Sequence, residues 1–443
     1  MTMHQPAFHF RPAVNWMNDP NGLCQVDGWY HMFYQYNPHG SRWGDMHWGH
    51  ARSRDLVRWE ELPIAMAPLE EKGEIHCFSG GCCKDEQGRP HFFYTSIGPE
   101  EAGRDCRDGA QQWMAEPVEG DLTRLEQTDA YAITDEIHGG MHVREWRDPC
   151  VIRWQGQYLM TLGGCLEERG CVLLYTSPDM KHWTYRHVLA QSAVADGKPW
   201  ECPNFFELDG KFVLFYSPCG PVMAQVGTLD DELRFHCERE EVLDPGGWSG
   251  YYAPQAFRDE AGRTLLFGWM PECDGGRDKG WSGMMSLPRE LRVRQGGLMA
   301  WPAANVDTLA EWTQVQVGPG ETCLAQDGWR LMLRFRCRVD APVTLRLFAG
   351  RTGETLLRLT PEGELTLDRQ DSCVEAEVDR SAISHRVELP GGEAEVFLAL
   401  DGSAIECAVN GQWLSGRVYP ERENCGVYLV CSQPVTVRVG RVK

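Results

Sequence analysis

The chain has 443 residues, and the rule of about 100–200 residues per domain predicts two or three domains, each large enough to bury a core. Its 43 Lys and Arg against 64 Asp and Glu give a formal net charge of −21, the wrong sign for a surface that binds nucleic-acid phosphates. Hydrophobic residues are 42% and charged residues 24% of the chain, which argues against a disordered chain and against a membrane protein.

The first 22 residues, MTMHQPAFHFRPAVNWMNDPNG, lack the basic start and the apolar run of a secretory signal, which favours a cytoplasmic protein. The 18 cysteines are too sparse for a small disulfide scaffold and do not show the spacing of zinc ligands. We therefore expect free thiols, no metal site and no cofactor.

Five segments between residues 26 and 271 share one pattern, in which a glycine in a polar turn precedes an aromatic or aliphatic run. The pattern recurs every 50–70 residues or so, with the glycines at Gly28, Gly88, Gly156, Gly210 and Gly262. Such runs are strand signals. Five similar all-β units fit a five-bladed β-propeller, and a large β-sandwich with coincidental hairpins is the alternative.

After about Pro302 the sequence alternates polar and apolar residues with turn residues between the segments, as in VTLRLFAG, AEVFLALDG and VTVRVGRVK. This period-two pattern predicts a β-sandwich. We expect an all-β protein with the propeller over residues 1–290, a linker over residues 291–304 and the sandwich over residues 305–443.

Three acidic residues, Asp19, Asp148 and Glu201, fall eight or nine residues before their repeat glycines. Equivalent positions of the innermost strands surround the axis of a propeller, so this phase predicts that the three carboxyl groups share one pocket. The corresponding positions of the other two units hold Ser79 and Ala253. Each acid is followed within two residues by proline, which predicts a strand end at the mouth of the channel.

Aromatic residues are concentrated near the same positions, and three or four of them are expected at the pocket, where their flat faces suit a sugar ring. They are Trp16, Trp43, Trp48, Trp146, Trp200, Tyr251, Tyr252, Trp269 and Trp281. Paired carboxyl groups can protonate a leaving oxygen and attack a sugar or activate water. The motifs of esterases, nucleotide-binding loops and dinucleotide folds are absent from the sequence, so the pattern favours glycoside chemistry.

Eight motifs, in order along residues 15–291, resemble the signature of the family-32 glycoside hydrolases, the invertases and fructanases. They are WMNDPNG, FYQYNP, WGHARSRDLVRW, FSGG, RDP, EC, YYAPQAF and WSGMMSLPREL. The resemblance implies a five-bladed propeller with an appended β-sandwich, in agreement with the repeat spacing. It also implies a retaining β-fructosidase that acts on sucrose or short fructo-oligosaccharides through a covalent fructosyl-enzyme intermediate.

The same resemblance implies roles for individual residues. Asp19 would be the nucleophile, Glu201 the acid/base and Asp148 the stabiliser of the transition state. The residues expected to bind the substrate are Asn18, Gln35, Trp43, Ser79, Arg147, Tyr252 and Trp281. The expected partner is a small carbohydrate, with no nucleic acid and no membrane, and the oligomeric state is left open.

Several alternatives stay open at this point. A sucrose-6-phosphate hydrolase or a fructosyltransferase of the same family would use the same acids, and a phosphorylated substrate would require a basic residue at the rim. The positions that could supply one are Arg42, Arg104, Arg107 and Lys279. An inverting arabinan or xylan hydrolase and a non-catalytic sugar-binding propeller are the alternatives outside this family.

Overall fold

The structure is a computed structural model that describes residues 4–373, 375 and 377–442. Strands dominate it, and the helices in this part of the chain are short 3₁₀ turns. These turns are Glu70–Lys72, Glu100–Ala102, Asp135–His138, Ala304–Leu309 and Pro390–Gly392. Across the residues described, no helix has the length and apolar character needed to span a membrane.

Four consecutive antiparallel sheets of four strands each begin the chain. The first contains β1 (Asn15–Val26), β2 (Trp29–Asn37), β3 (His47–Ser53) and β4 (Trp59–Met66). The second contains β5 (His76–Lys84), β6 (Pro90–Ile97), β7 (Gln111–Val118) and β8 (Asp121–Ile133). The third contains β9 (Arg144–Trp154), β10 (Gln157–Leu166), β11 (Arg169–Ser177) and β12 (Thr184–Gln191), and the fourth β13 (Glu201–Leu208), β14 (Lys211–Ser217), β15 (Val222–Leu229) and β16 (Phe235–Asp244).

The fifth sheet closes the ring. It contains β17 (Tyr252–Arg258), β18 (Thr264–Met270), β20 (Met284–Met285), β21 (Arg289–Arg294) and β22 (Gly297–Pro302). The short strand β19 (Trp281–Ser282) instead extends the first sheet, because it pairs in parallel with β1. The first strands β1, β5, β9, β13 and β17 pack against one another in sequence, and β17 packs against β1. The chain is therefore a five-bladed β-propeller with the first strand of each blade innermost, as the repeats predict.

Each repeat glycine lies in the hairpin turn between the first and second strands of its blade. All five have φ between 72° and 79°, in the left-handed region that glycine enters without the steric cost of a Cβ atom. The repeat seen in the sequence thus reflects one kind of tight turn, which needs glycine and occurs once in each blade.

The linker predicted at residues 291–304 is wrong. Strands β21 and β22 pair with each other over Arg289–Pro302, and β21 also pairs with β18, so they are the outer strands of the fifth blade. Arg289, Leu291 and Val293 are buried and alternate with more exposed neighbours, which is the signature of a strand with one covered face. Only the short turn Ala304–Leu309 separates this blade from the next strand.

The remaining strands form two six-stranded sheets that face each other across an apolar core. One sheet has the order β23 (Ala310–Val317), β34 (Val435–Val442), β25 (Arg330–Arg338), β30 (Glu393–Asp401), β31 (Ala404–Val409), β32 (Gln412–Arg417). The other has the order β24 (Gly320–Ala325), β33 (Gly426–Cys431), β26 (Val343–Ala349), β27 (Thr355–Leu359), β28 (Glu364–Asp368), β29 (Ile383–Arg386). This is the C-terminal β-sandwich. A second apolar cluster joins it to the propeller through residues such as Phe8, Phe397 and Trp413.

A buried charge network also joins the propeller to the sandwich. The His9 ring lies 2.9 Å from Asp401 Oδ2 through Nδ1 and 2.8 Å from Glu406 Oε2 through Nε2. Arg289 donates to Asp244 at 2.9 Å and to Glu406 at 2.8 Å. All five side chains have 0% exposure. Burial alone would lower the pKa of His9, but its hydrogen bonds to the two carboxylates outweigh burial and raise this pKa to about 9.

Replacing His9 with glutamine should flatten the dependence of stability on alkaline pH. Because the pKa of His9 is about 9 in the folded chain against an ordinary 6.5, its stabilisation is complete below about pH 6.5 and is lost as the pH rises through about 9. The difference is worth about 3 kcal/mol. Tm measured from pH 6 to pH 10 should fall more steeply for the unmodified protein than for His9→Gln. Parallel Tm curves would contradict this assignment.

Candidate active site

The innermost strands interrupt their ladders at the same level of the propeller. At that level two consecutive residues of the first strand face one residue of the second, which is a β-bulge. The bulged pairs are Asn18–Asp19, Phe78–Ser79, Asp148–Pro149, Cys202–Pro203 and Ala253–Pro254. Pro149 and Pro203 lie within their bulges, where their nitrogens are outside the ladder, whereas Pro20 directly follows the bulge of the first blade. The prolines therefore mark interruptions within strands and not strand ends.

The bulges turn consecutive side chains toward one cavity of about 380 Å³ on the propeller axis. Asp19 is the second residue of its bulge, Asp148 the first of its own, and Glu201 immediately precedes the bulge of the fourth blade. All three carboxyl groups line the cavity. The shared distance of the three acids from their repeat glycines thus places them at the same height along the propeller axis. Within the bulges, however, they occupy three different positions.

Asp19 has donors on two other blades, the second and the fourth. Ser79 Oγ donates to its Oδ2 at 2.6 Å, and the Cys202 thiol lies 3.5 Å from the same oxygen. Burial raises the pKa of Asp19, and the hydrogen bond from Ser79 opposes that rise. The donors fix the direction of the carboxylate and favour its charged form.

Asp148 is held mainly by the backbone. Its Oδ2 accepts from the Cys202 N–H at 2.8 Å, and its own N–H donates to Thr95 Oγ1 at 2.9 Å. Burial raises the pKa of Asp148 to about 7, with Arg147 opposing the rise. Its φ of 66° is unusual for a residue with a side chain and is the kind of strain found at functional sites.

Glu201 is held by two side chains. Arg147 Nη2 donates to its Oε1 at 2.8 Å, and the Tyr252 hydroxyl donates to its Oε2 at 2.5 Å. Arg147 also contacts Glu145, and Tyr252 accepts from the Cys219 N–H at 2.9 Å. Burial raises the pKa of the Tyr252 hydroxyl, so this phenol stays a hydrogen-bond donor.

The structure brings most of the expected substrate-binding residues to this cavity. Those that line it are Asn18, Gln35, Trp43, Ser79, Arg147 and Tyr252. Trp281 does not line it: β19 pairs with the start of β1, and the Trp281 ring is 4% exposed. The charged groups of Arg11 and Lys279 lie 4.7 and 4.3 Å from the centroid of the Trp281 ring. The prediction that Trp281 binds the substrate is therefore wrong.

Four of the nine aromatic residues singled out in the sequence line the cavity, namely Trp16, Trp43, Tyr252 and Trp269. The other five are buried. The predicted site does not include four further lining residues, Phe78, Cys106, Cys202 and Trp248. Phe78 shares the bulge of Ser79, so the phase could have found it. Cys106 and Trp248 lie in connecting segments outside the repeated pattern.

None of the four basic residues considered for a phosphate lines the cavity. Arg104 donates to backbone carbonyl groups and to Ser96, and Lys279 donates to Glu272 and Asp274. Arg42 and Arg107 are exposed. Among the described residues of the cavity wall, Arg147 is the one basic side chain.

Glycoside hydrolases use a pair of carboxyl groups that face one cavity, and the axial cavity of this propeller holds three. The model of the N-terminal domain of glycosyl hydrolases family 32 matches residues 9–302. The chain belongs to this family.

Two relatives agree with this placement, and a solved structure has the same fold. The chain is 31% identical to a raffinose invertase of Escherichia coli, over 95% of this chain and 90% of the relative. It is 29% identical to a sucrose-6-phosphate hydrolase of Escherichia coli, over 98% of this chain and 93% of the relative. The solved fructan 1-exohydrolase IIa from Cichorium intybus in complex with 1-kestose superposes with a TM-score of 0.87 at 22% identity, over 100% of this chain and 98% of that one.

Proposed function

We propose that the protein is a retaining β-fructosidase that releases terminal fructose from sucrose or short fructo-oligosaccharides. The observation that carries this proposal is the convergence of three carboxyl groups from three blades on one cavity, each held by its own donors. The raffinose invertase and the exohydrolase among the similar proteins support fructosides as the substrate class.

In the first half of the reaction, Asp19 attacks the anomeric carbon of fructose. The bond to the leaving oxygen breaks, and Glu201 gives its proton to that oxygen as general acid. The product of this step is a fructosyl ester of Asp19. Ser79 keeps the attacking oxygen in place, since it donates to Asp19 from the neighbouring blade.

In the second half, Glu201 takes a proton from water as the water attacks the anomeric carbon. The ester bond breaks, and Asp19 returns to its ionised form with fructose released in its original configuration. We assign Asp148 to the hydroxyl groups of the fructose ring, where its carboxyl group stabilises the transition state. The fructose subsite is completed by Asn18, Gln35 and Trp43, together with the two donors to Glu201, Arg147 and Tyr252.

The charge of the cavity favours an uncharged substrate. Three carboxyl groups face it, and its one basic lining residue, Arg147, is already in contact with Glu201 and Glu145. A phosphate dianion would be repelled and would find no free cation on the described wall. The sucrose-6-phosphate hydrolase among the relatives supports the second candidate, in which the exposed Arg42 and Arg107 would reach a phosphate at the rim.

Product analysis tests the proposal. The purified protein is incubated with sucrose, sucrose 6-phosphate, 1-kestose, inulin and levan, and with arabinan and xylan as comparators. We expect free fructose from sucrose and 1-kestose, at a higher kcat/KM than from sucrose 6-phosphate, and NMR of the first product should show the retained anomer. Release of arabinose or xylose in place of fructose would refute the proposal. Chain-lengthened products at high sucrose would identify the transferase alternative.

A cytoplasmic location agrees with substrates small enough to be imported, and it stays a prediction from the sequence. Fractionation of the native host with an antibody against the chain checks it. Enzyme in the culture medium would contradict it.

A further inference from the structure

The loop between β16 and β17 carries a half-exposed tryptophan at the cavity. Trp248 lines the cavity and is 50% exposed. Its ring stacks on Tyr252 with centroids 4.4 Å apart and planes at 25°, and it meets Trp269 edge-on at 5.8 Å. Tyr252 therefore covers one face of the ring, and the half of the residue that stays exposed offers an apolar platform at the cavity.

The position of Trp248 relative to the acids decides which sugar it can meet. Tyr252, on which it stacks, donates to Glu201, so Trp248 lies on the side of the proton donor. Trp43 lies on the other side, because it contacts Phe78, the neighbour of Ser79 that donates to Asp19. In a glycosidase the leaving group sits beside the proton donor.

We infer that Trp248 is the stacking platform for the leaving sugar, and that the β-sandwich holds this platform in place through Asp379. The inference rests on the proposed function, since it concerns the sugar ring that departs when fructose is transferred to Asp19. It assigns the specificity for the leaving group to a residue outside the repeated pattern of the blades.

The loop that carries Trp248 is fixed by the sandwich. Ser249 Oγ donates to Asp379 Oδ2, and the carbonyl of Ser249 accepts from the Arg417 N–H at 3.3 Å and from Arg369 Nη1 at 3.4 Å. A Cβ atom on Gly250 would lie 2.2 Å from the Ser415 carbonyl oxygen, so the two backbones approach too closely for any other residue. The residue next to the platform is therefore clamped by the second domain.

Asp379 is well suited to this positioning role. Burial would raise its pKa, but donors that include Ser249 and Ser381 outweigh burial and lower the pKa to about 2. It also pairs with Arg369 at 3.3 Å. The carboxylate is thus charged over the whole working range and holds the loop throughout.

Two substrates that differ only beyond the fructose ring test the platform. Sucrose presents a glucose ring to Trp248, whereas methyl β-D-fructofuranoside presents a methyl group. We expect Trp248→Ala to raise KM for sucrose about two- to tenfold, the range of one aromatic stacking contact, with kcat little changed. KM for the methyl fructoside and inhibition by free fructose should not change, and Trp248→Tyr should restore most of the sucrose affinity.

The sandwich side is tested with Asp379→Ala and Ser249→Ala, which should raise KM for sucrose in the same direction by a smaller factor. Asp340→Ala, on the sandwich surface beside Arg338, is the matched control and should behave as the unmodified protein. If Asp379→Ala does not fold, Ser249→Ala carries the test. An unchanged KM for sucrose in both Asp379→Ala and Ser249→Ala would overturn the positioning role of Asp379.

The outcomes separate the inference from the proposed function. Fructose release by the unmodified protein, together with an unchanged sucrose KM in Trp248→Ala, overturns the platform alone. Equal losses on sucrose and the methyl fructoside also overturn it, because they would show that Trp248 acts through Tyr252 and Glu201. Failure of the unmodified protein to release fructose from either substrate refutes the proposed function itself.

Discussion

Asp19→Asn should abolish fructose release from sucrose, by roughly 10⁴-fold or more, because an amide cannot form the ester intermediate. The change is isosteric and keeps an oxygen that can accept the Ser79 hydroxyl at the position of Oδ2. The fold should therefore be retained, with near-ultraviolet circular dichroism unchanged. Initial rates from coupled detection of glucose and fructose measure the loss.

A matched control separates this effect from a general loss of charge. Asp231 is exposed in the turn before β16, and Asp231→Asn should keep the full rate. Asp19→Asn should still bind sucrose, as measured by calorimetry, because the other contacts of the fructose subsite are intact. Turnover by Asp19→Asn within tenfold of the unmodified protein would remove Asp19 from the role of nucleophile.

Glu201→Ala should lower kcat for sucrose by about 10²–10⁴-fold, the usual contribution of a general acid/base. The loss should be far smaller at the first step for a fructosyl substrate whose leaving group needs no proton. Because the variant leaves a space beside the anomeric carbon, added azide should attack the Asp19 ester without base assistance. The expected product is fructosyl azide of retained configuration, which mass spectrometry and NMR identify.

Two results would contradict this role for Glu201. One is an equal loss on all leaving groups. The other is the absence of a rate increase with azide on the substrate whose leaving group needs no proton, because with that substrate the second step limits the rate. Glu232→Ala, an exposed glutamate beside Arg234 on an outer turn, is the control for the loss of a surface carboxylate. It should show neither the rate loss nor the azide product.

The parts of this fold that repeat are the parts that the sequence predicts. A glycine turn followed by an apolar run defines the start of all five blades, because each hairpin needs the same backbone conformation. The three acids follow from the same repeat. Their different positions within the bulges do not, because proline signals only that the ladder is interrupted and not which residue leaves it.

The parts set by contacts between distant segments are not visible in the sequence. Trp281 belongs to a motif with pocket residues, but the parallel pairing of β19 with β1 takes its ring away from the cavity. Trp248 lies in no repeat, and its neighbour Ser249 donates to a sandwich residue, Asp379, 130 positions later in the chain. Strand β21 alternates like the strands of the sandwich, so its pattern does not reveal that it belongs to the fifth blade, which only its pairing with β18 shows.

The His9 network has a consequence for how the chain is made. His9 leaves the ribosome well before its partner Glu406, which is 397 positions later in the chain. At roughly 5–20 residues per second, the interval between the two is on the order of 20–80 s. The segment that carries His9 stays without these partners while the blades are made, so the domain junction is completed only after the sandwich strand that carries Glu406 has been synthesised.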